Sequence, residues 1–372
     1  MPDNGKIRVL EIVPAMNVDS GVASFSMNYL RKIDHSKFTV DYVIFKLHDT
    51  PYYDEIRRLG GEVYLLPNIT SLMKHIKACN EILDSGNYDI IHNNALTKSL
   101  PLMLCAKKHK IPVRILHSHN ASLGDSKRKR FQSKIVLSQL KKLSTDYFAC
   151  SEAAGKCYFE SQLYSLVPNV IEEGKFRFDR VMREKVRLEM GVEKKIVICT
   201  VGRLAAQKNP YFALDVIKTL SQKHNNLKYW WIGTGSIGAD VKKYAHEQGL
   251  DSIVSFLGAR NDMVELYQAT DIFFLPSLFE GLPVTGVETQ AMGLPSVISS
   301  TVTQEMVYTD LVEYVPLDAP METWIEAIEK QMNRIPERRS YTKELENSVF
   351  SIKNAGHRLE TLYEEMLKQT HK

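Results

Sequence analysis

Two doubly wound α/β domains are what this sequence predicts, on three observations. Its 372 residues exceed what a single core comfortably fills. Apolar strand-like runs alternate with helical patterns from end to end, the mark of parallel sheets built from βαβ units. A proline and an asparagine interrupt that alternation in Leu166-Val167-Pro168-Asn169-Val170-Ile171, where a linker fits.

In chain order, the first half offers strands near 7–13 (IRVLEIV), 38–45 (FTVDYVIF), 62–66, 88–92 (YDIIH), 112–117 (PVRILH) and 146–150. After the linker a charged helix begins near 180. Strands follow near 196–201 (IVICTV), 227–232 (LKYWWI), 253–257 (IVSFL), 271–275 (DIFFL) and 295–299 (PSVIS). From about 339 to 370 the chain reads as one polar helix whose apolar residues Val349, Ile352, Leu359, Leu362, Tyr363 and Met366 form a stripe that must pack somewhere. The organisation expected is residues 1–170, residues 171–345 and a tail, 346–372, returning to the first domain. In such folds ligands sit beyond the carboxyl ends of the strands, so the loops after each strand are where chemistry is sought.

Composition bounds the class. An apolar share of 44% and a charged share of 25% are those of a globular protein, without low-complexity tracts. No apolar run approaches the roughly 18 to 20 residues a bilayer span needs, and the first residues enter a strand pattern without a cleavable signal, so a cytoplasmic location is expected. Five scattered cysteines, Cys79, Cys105, Cys150, Cys157 and Cys199, fit neither disulfides nor zinc. The net charge of +4 is uneven: residues 1–170 hold 23 Lys+Arg against 16 Asp+Glu. The excess peaks at Lys127-Arg128-Lys129-Arg130, with Lys134, Lys141 and Lys142 beyond, among apolar Phe131, Ile135, Val136, Leu137 and Leu140. Residues 127–142 are either a solvated helix face or a basic amphipathic helix resting on anionic lipid at the inner face of the plasma membrane. Nothing in the pattern points to nucleic acid.

Three loops of the second half carry candidate chemistry. After IVICTV comes Gly202-Arg203-Leu204-Ala205-Ala206-Gln207-Lys208-Asn209-Pro210, whose Arg203 and Lys208 stand beside a helix expected to start at an Asn209-Pro210 cap; two cations at a helix N-terminus suit a diphosphate. Next, after LKYWWI, Gly233-Thr234-Gly235-Ser236-Ile237-Gly238 matches G-x-G-x-x-G. Where a dinucleotide site wants an acidic residue this chain has Leu257-Gly258, so Gly233 and Gly235 read as a tight turn lining a phosphate pocket. Third is Phe279-Glu280-Gly281-Leu282-Pro283-Val284-Thr285-Gly286-Val287-Glu288. Gly281 and Pro283 hold a turn, and Thr285 onward reads as helix, so amides near Leu282, Pro283, Val284 and Thr285 face the ligand side and can hold phosphate oxygens. Glu280 and Glu288 repel phosphate but suit sugar hydroxyls. Glu288 could equally serve the dipole of its own helix.

FEGLPVTGVETQAMG, VGRLAAQK, IGTGS and the strand end ILHSHN together resemble family 4 of the retaining glycosyltransferases, over nearly the whole chain. The resemblance implies the GT-B fold, an α/β architecture of two Rossmann-like domains facing across a cleft. It implies that Glu288 binds the ribose of a nucleotide-sugar donor, that Glu280 contacts the transferred sugar and that Arg203 and Lys208 hold the donor diphosphate. It also assigns a role to the histidine ending the fifth strand; aligning on the strand end favours His119, with His117 the alternative. Two histidines two apart point the same way, but no third metal ligand is placed beside them.

The chain departs from the family pattern after the first strand, where Asn17-Val18-Asp19-Ser20-Gly21-Val22 has Gly21 alone in place of a double glycine. Gly21 is the remaining candidate for contacts to acceptor or phosphate there. The chain contains no Asp-x-Asp, so a reaction without metal or other cofactor is expected, a cation pair and helix amides stabilising the leaving diphosphate. The resemblance implies hexosyl transfer with retention, to a glycan or lipid-linked acceptor in exopolysaccharide or capsule assembly. The alternatives are a nucleotide-sugar epimerase on the same fold and a catalytically silent nucleotide-sugar-binding subunit.

Overall fold

The computed structural model describes residues 5–18, 20–124 and 127–370, so Asp19 of the first loop lies outside the described residues. The chain divides into two compact units: residues 1–170 with 352–372, and residues 171–351.

The first unit is built on a seven-stranded sheet of β1 (Ile7–Val13), β2 (Phe38–Ile44), β3 (Val63–Leu65), β4 (Ile90–Asn93), β5 (Val113–Ser118), β6 (Asp146–Ala149) and β7 (Ser165–Leu166). Their order is β3-β2-β1-β4-β5-β6-β7 and every pairing is parallel. The second unit holds a six-stranded sheet of β8 (Ile196–Val201), β9 (Leu227–Ile232), β10 (Val254–Gly258), β11 (Ile272–Leu275), β12 (Ser296–Ser299) and β13 (Val312–Val315), ordered β10-β9-β8-β11-β12-β13 and again all parallel. Both are doubly wound sheets whose order reverses beside the first strand of the unit, the place where such folds bind ligands.

Three readings from sequence change. β7 was not foreseen and ends at Leu166, the first residue of the segment read as linker; nor was β13 foreseen, because VEYV alternates charge and apolar side chains on an edge strand, without the continuous apolar run of a central one. The C-terminal stretch is not one helix. It is a short helix, Thr342–Glu346, then Ala355–Thr370, and between them Ser351 bridges Ile171 while Ile171 N–H donates to Phe350 O. The backbone groups of that break are spent on the neighbouring strand-like segment, so they cannot close helical turns. Beyond it Ile352, Leu359, Tyr363 and Met366 bury in the core of the first unit with Phe38, Tyr42 and Val170. Val349 stays exposed, outside that stripe.

The helix Lys127–Leu143 also differs from its reading. Leu137, Leu140 and Leu143 pack inward, whereas Phe131 and Ile135 are 66% and 53% exposed. At 100° per residue Phe131 and Ile135 lie on the side opposite the buried leucines, so the apolar set is two faces and not one. Lys127 to Arg130 and Lys134 are exposed.

Candidate functional site

The loops after β8, β9 and β11 meet in the second unit through glycine. A Cβ on Gly233 would lie 2.2 Å from Gly202 O, and one on Gly235 would lie 2.1 Å from Leu204 O. Leu204 N–H donates to Thr234 O at 3.0 Å, and Trp231 Nε1–H donates to Gly202 O at 2.9 Å. The two glycines are therefore needed for a backbone-on-backbone crossing, and Gly233 at φ +136° also holds a conformation side chains resist. Arg203 projects from this crossing and is exposed.

The cap expected at Asn209 does not form. A single 3₁₀ turn, Ala206–Lys208, precedes the helix Pro210–Lys223, and Asn209 sits at φ +53° with no side-chain cap, because a capping side chain needs an extended backbone to reach the first-turn amides. The turn instead aims Gln207 and Lys208 at the loop after β11. Lys208 Nζ lies 2.6 Å from Glu280 Oε1, Gln207 Nε2–H donates to Phe279 O at 3.0 Å and to Glu280 Oε2 at 3.2 Å, and Leu278 N–H donates to Gln207 O at 2.8 Å. Lys208 and Glu280 are both largely buried, so each charge depends on the other. Gln207, between the two cations, was not singled out from sequence, although its place in the Arg-x4-Lys loop was a signal.

Beyond Glu280 the turn Gly281-Leu282-Pro283 leads into the helix Val284–Ala291, which has no side-chain cap at Pro283. A Cβ at Gly286 would meet Met306 Sδ at 2.6 Å, so the methionine side chain would have to shift to admit one. Glu288 stands in that helix and accepts from Tyr267 Oη–H at 2.8 Å. Burial raises its carboxyl above the ordinary range; the Tyr267 hydrogen bond and the charge of Lys175 pull it back. Tyr267 carries no sequence signal, because its helix Met263–Ala269 is short and reads as ordinary amphipathic chain.

His119 and Gly21 belong to the first unit. Register sets Glu11 of β1 beside His92 of β4, and alternation puts Asn94, His117 and His119 on the same side of the sheet. His117 is buried: its Nδ1 is 2.9 Å from His92 Nε2, and His92 Nδ1 is 2.7 Å from Tyr363 Oη. His119, past the strand end, is partly exposed, stacks on His117 at 4.0 Å between centroids and places Nε2 2.7 Å from Asn94 Oδ1. Burial holds His92 and His119 at about 3 and His117 well below its usual value, so all three are neutral; the charge of His119 adds to the lowering at His92, and the charges of His119 and His92 add to it at His117. Glu11, accepting from Ser26 and Asn94, is raised by burial to about 7. Gly21 opens the helix Gly21–Leu30, with Ser20 as N-cap, and a Cβ there would meet nothing within 4 Å. Among the described residues no group of three or more His, Cys, Asp or Glu is placed to hold a metal ion.

Residues 195–333, which contain every second-unit residue just described except Lys175, match the family described as glycosyl transferases group 1. Those residues are a glycosyltransferase group 1 domain. This glycosyltransferase is 29% identical over 351 residues to EpsF of Bacillus subtilis (strain 168), which is named as a glycosyltransferase, with 91% of each chain covered. It is 27% identical over 318 residues, 79% of each chain, to the Escherichia coli UDP-Gal:alpha-D-GlcNAc-diphosphoundecaprenol alpha-1,3-galactosyltransferase. Among solved structures, Anabaena HepE in complex with UDP-glucose superposes with a TM-score of 0.79 at 16% identity, covering 96% of this chain and 100% of that one. The fold of the glycosyltransferase is GT-B, with two Rossmann-like parallel-sheet domains.

Proposed function

We propose that this glycosyltransferase moves a hexosyl group from a UDP-sugar to a glycan or lipid-linked acceptor in cell-surface polysaccharide synthesis, with retention and without a metal ion. The observation that carries the reading is the cluster Lys208, Gln207 and Glu280 beside the glycine crossing, with uncapped helix amides and Glu288 immediately after it. A lysine and an exposed arginine at that point can neutralise a diphosphate, while Gly281, Val284 and Thr285 offer backbone amides to its oxygens. Glu280 then accepts from hydroxyls of the transferred sugar and Glu288 from the ribose. Within the first unit, His119, neutral and held by Asn94, is the candidate catalytic residue.

In the reaction the bond between the anomeric carbon and the diphosphate oxygen breaks, and an acceptor hydroxyl oxygen bonds to the same face of that carbon. The hydroxyl proton passes to the departing diphosphate. Stabilisation of the developing negative charge by preorganised cations and amides is the largest contribution such a site makes. The lipid-linked acceptor is supported by the Escherichia coli relative, whose name specifies a diphosphoundecaprenol acceptor. Peripheral contact with an anionic membrane through residues 127–142 is part of the same reading, the cations of that helix and its outward Phe131 and Ile135 being the contact. No described helix is long and apolar enough to cross a membrane.

A thermal-shift panel of nucleotides and nucleotide sugars, each with and without EDTA, tests the donor: a bound donor raises the melting temperature by mass action. Stabilisation by UDP and one UDP-hexose, undiminished by EDTA, is expected. Stabilisation only by another nucleotide, or only with Mg²⁺, overturns the donor or the metal-free reading respectively.

A further inference from the structure

Glu288 does not stand alone in its helix, and what holds it is built with unusual care. Tyr267, completely buried, donates its phenol hydrogen to Glu288 Oε2, while Glu288 Oε1 has no hydrogen-bond partner among the described residues. The helix that carries Tyr267, Met263–Ala269, is clamped at its C-terminus by three guanidinium groups. Arg338 donates to the carbonyls of Tyr267 at 2.8 Å and Thr270 at 2.6 Å, Arg183 to those of Gln268 at 2.8 Å and Thr270 at 2.9 Å, and Arg187 to that of Ala269 at 2.7 Å. Asp271 orients the set by pairing with both Arg183 and Arg187, and with the amide of Val197 at the start of β8. Cations on the last carbonyls of a helix are ordinarily one side chain at a surface; here three fix one seven-residue helix to the sheet.

We propose that Tyr267 is a positioning residue for the donor, its phenol holding Glu288 in the rotamer that leaves Oε1 for a ribose hydroxyl of the nucleotide. This rests on the reading of Glu288 as the ribose ligand. The physical argument is one of preorganisation: a glutamate has three rotatable bonds, and ordering them at binding weakens affinity unless the protein has ordered them beforehand. The phenol also stabilises the carboxylate that must accept the ribose hydroxyl, since without it burial alone would favour the protonated acid. Burial keeps Tyr267 itself a phenol, and therefore a donor, throughout the working pH range.

The test uses the full-length chain and two probes, UDP and 2′-deoxy-UDP, measured by calorimetry. Wild type should bind UDP at least 10-fold tighter than the deoxy analogue, the loss expected for one hydrogen bond to a charged group. In Tyr267→Phe, UDP should weaken by about 5- to 10-fold with the deoxy analogue nearly unchanged, so that the ratio between them collapses towards 3 or below. A change that merely loosened the fold would weaken both nucleotides alike. Discrimination preserved in Tyr267→Phe overturns the positioning role. Equal binding of the two probes by wild type removes the ribose reading and the inference with it, a failure visible before any variant is made. Should the phenylalanine variant lose its circular dichroism spectrum, 3-fluorotyrosine at 267, the same shape with a more acidic phenol, replaces it; there the UDP to deoxy-UDP ratio should rise, and an unchanged ratio is the contrary result.

Discussion

Lys208 Nζ and Glu280 Oε1 are 2.6 Å apart, so two residues that sequence reasoning assigned to different parts of one ligand are bonded to each other across loops 72 positions distant. Both are largely buried. A donor diphosphate would therefore compete with Glu280 for the lysine, and Gln207, bonded to Glu280 Oε2, keeps the carboxylate in place meanwhile.

Removing one cation from the diphosphate should weaken UDP by about 10- to 150-fold, the equivalent of 1.5 to 3 kcal/mol. Arg203→Ala should show that loss alone, being exposed. Lys208→Ala should also cost about 3 to 5 kcal/mol of stability, because it strands a buried carboxylate. The double variant Lys208→Ala with Glu280→Gln should recover most of the stability and none of the affinity. Denaturant unfolding and calorimetry with UDP check the pair; wild-type affinity in both single variants would falsify the diphosphate assignment.

The two glutamates should separate kinetically. Glu280→Gln is expected to lower kcat while leaving UDP binding within about threefold, as for a contact that matters in the transition state. Glu288→Ala should weaken UDP and UDP-sugar by the same factor. Steady-state kinetics beside nucleotide binding decide it, and exchanged phenotypes would exchange the roles.

Glu11 predicts a pH dependence of stability. Its folded carboxyl is raised from 4.5 to about 7, so over that interval the native state holds a proton the unfolded chain has lost, and stability falls as pH rises through it. The full effect is on the order of 3 kcal/mol. His92 and His119, held at about 3, act in the opposite sense, contributing stability that is lost as pH falls from 6.5 towards 3. Comparing wild type with Glu11→Gln isolates the carboxyl: the variant should gain relative stability between pH 5 and pH 8, and parallel unfolding curves at both would refute the assignment.

Gly233→Ala and Gly21→Ala should behave oppositely. At Gly233 the new methyl carbon meets Gly202 O at 2.2 Å in a conformation with φ +136°, so a loss of about 2 kcal/mol or more is expected, with UDP binding impaired. At Gly21 the space is open and the backbone helical, so stability should hold or rise by about 0.5 to 1 kcal/mol. A drop in turnover with stability intact would then identify Gly21 as a site of ligand approach.

Liposome flotation at low salt addresses the basic helix. Each cation near an anionic surface contributes about 1 kcal/mol, so changing Lys127, Arg128, Lys129 and Arg130 to Ser should abolish binding to anionic vesicles. Because Phe131 and Ile135 point outward, changing both to Ser should weaken flotation while leaving the charge intact. Equal flotation of all three proteins, or of none, makes the helix an ordinary solvated face.

The sequence by itself determined the two parallel sheets, eleven of their strands and the three loops that carry the site. Central strands are continuous apolar runs, and glycine, proline and charge mark the turns at their carboxyl ends, so local composition suffices. Tertiary structure decided the rest. VEYV became a strand because β12 offered it an edge, and Ser351 left the helical register because Ile171 stood beside it. Phe131 and Leu137 look alike in sequence, yet one is solvated and the other is core, since only packing chooses a helix's inner face. Likewise Tyr267 and Gln207 have no meaning until the chain brings them to Glu288 and Glu280, 21 and 73 positions away. Hydrogen bonds that hold a side chain ready are made between elements far apart in the chain, and their partners are set by which elements the fold places side by side.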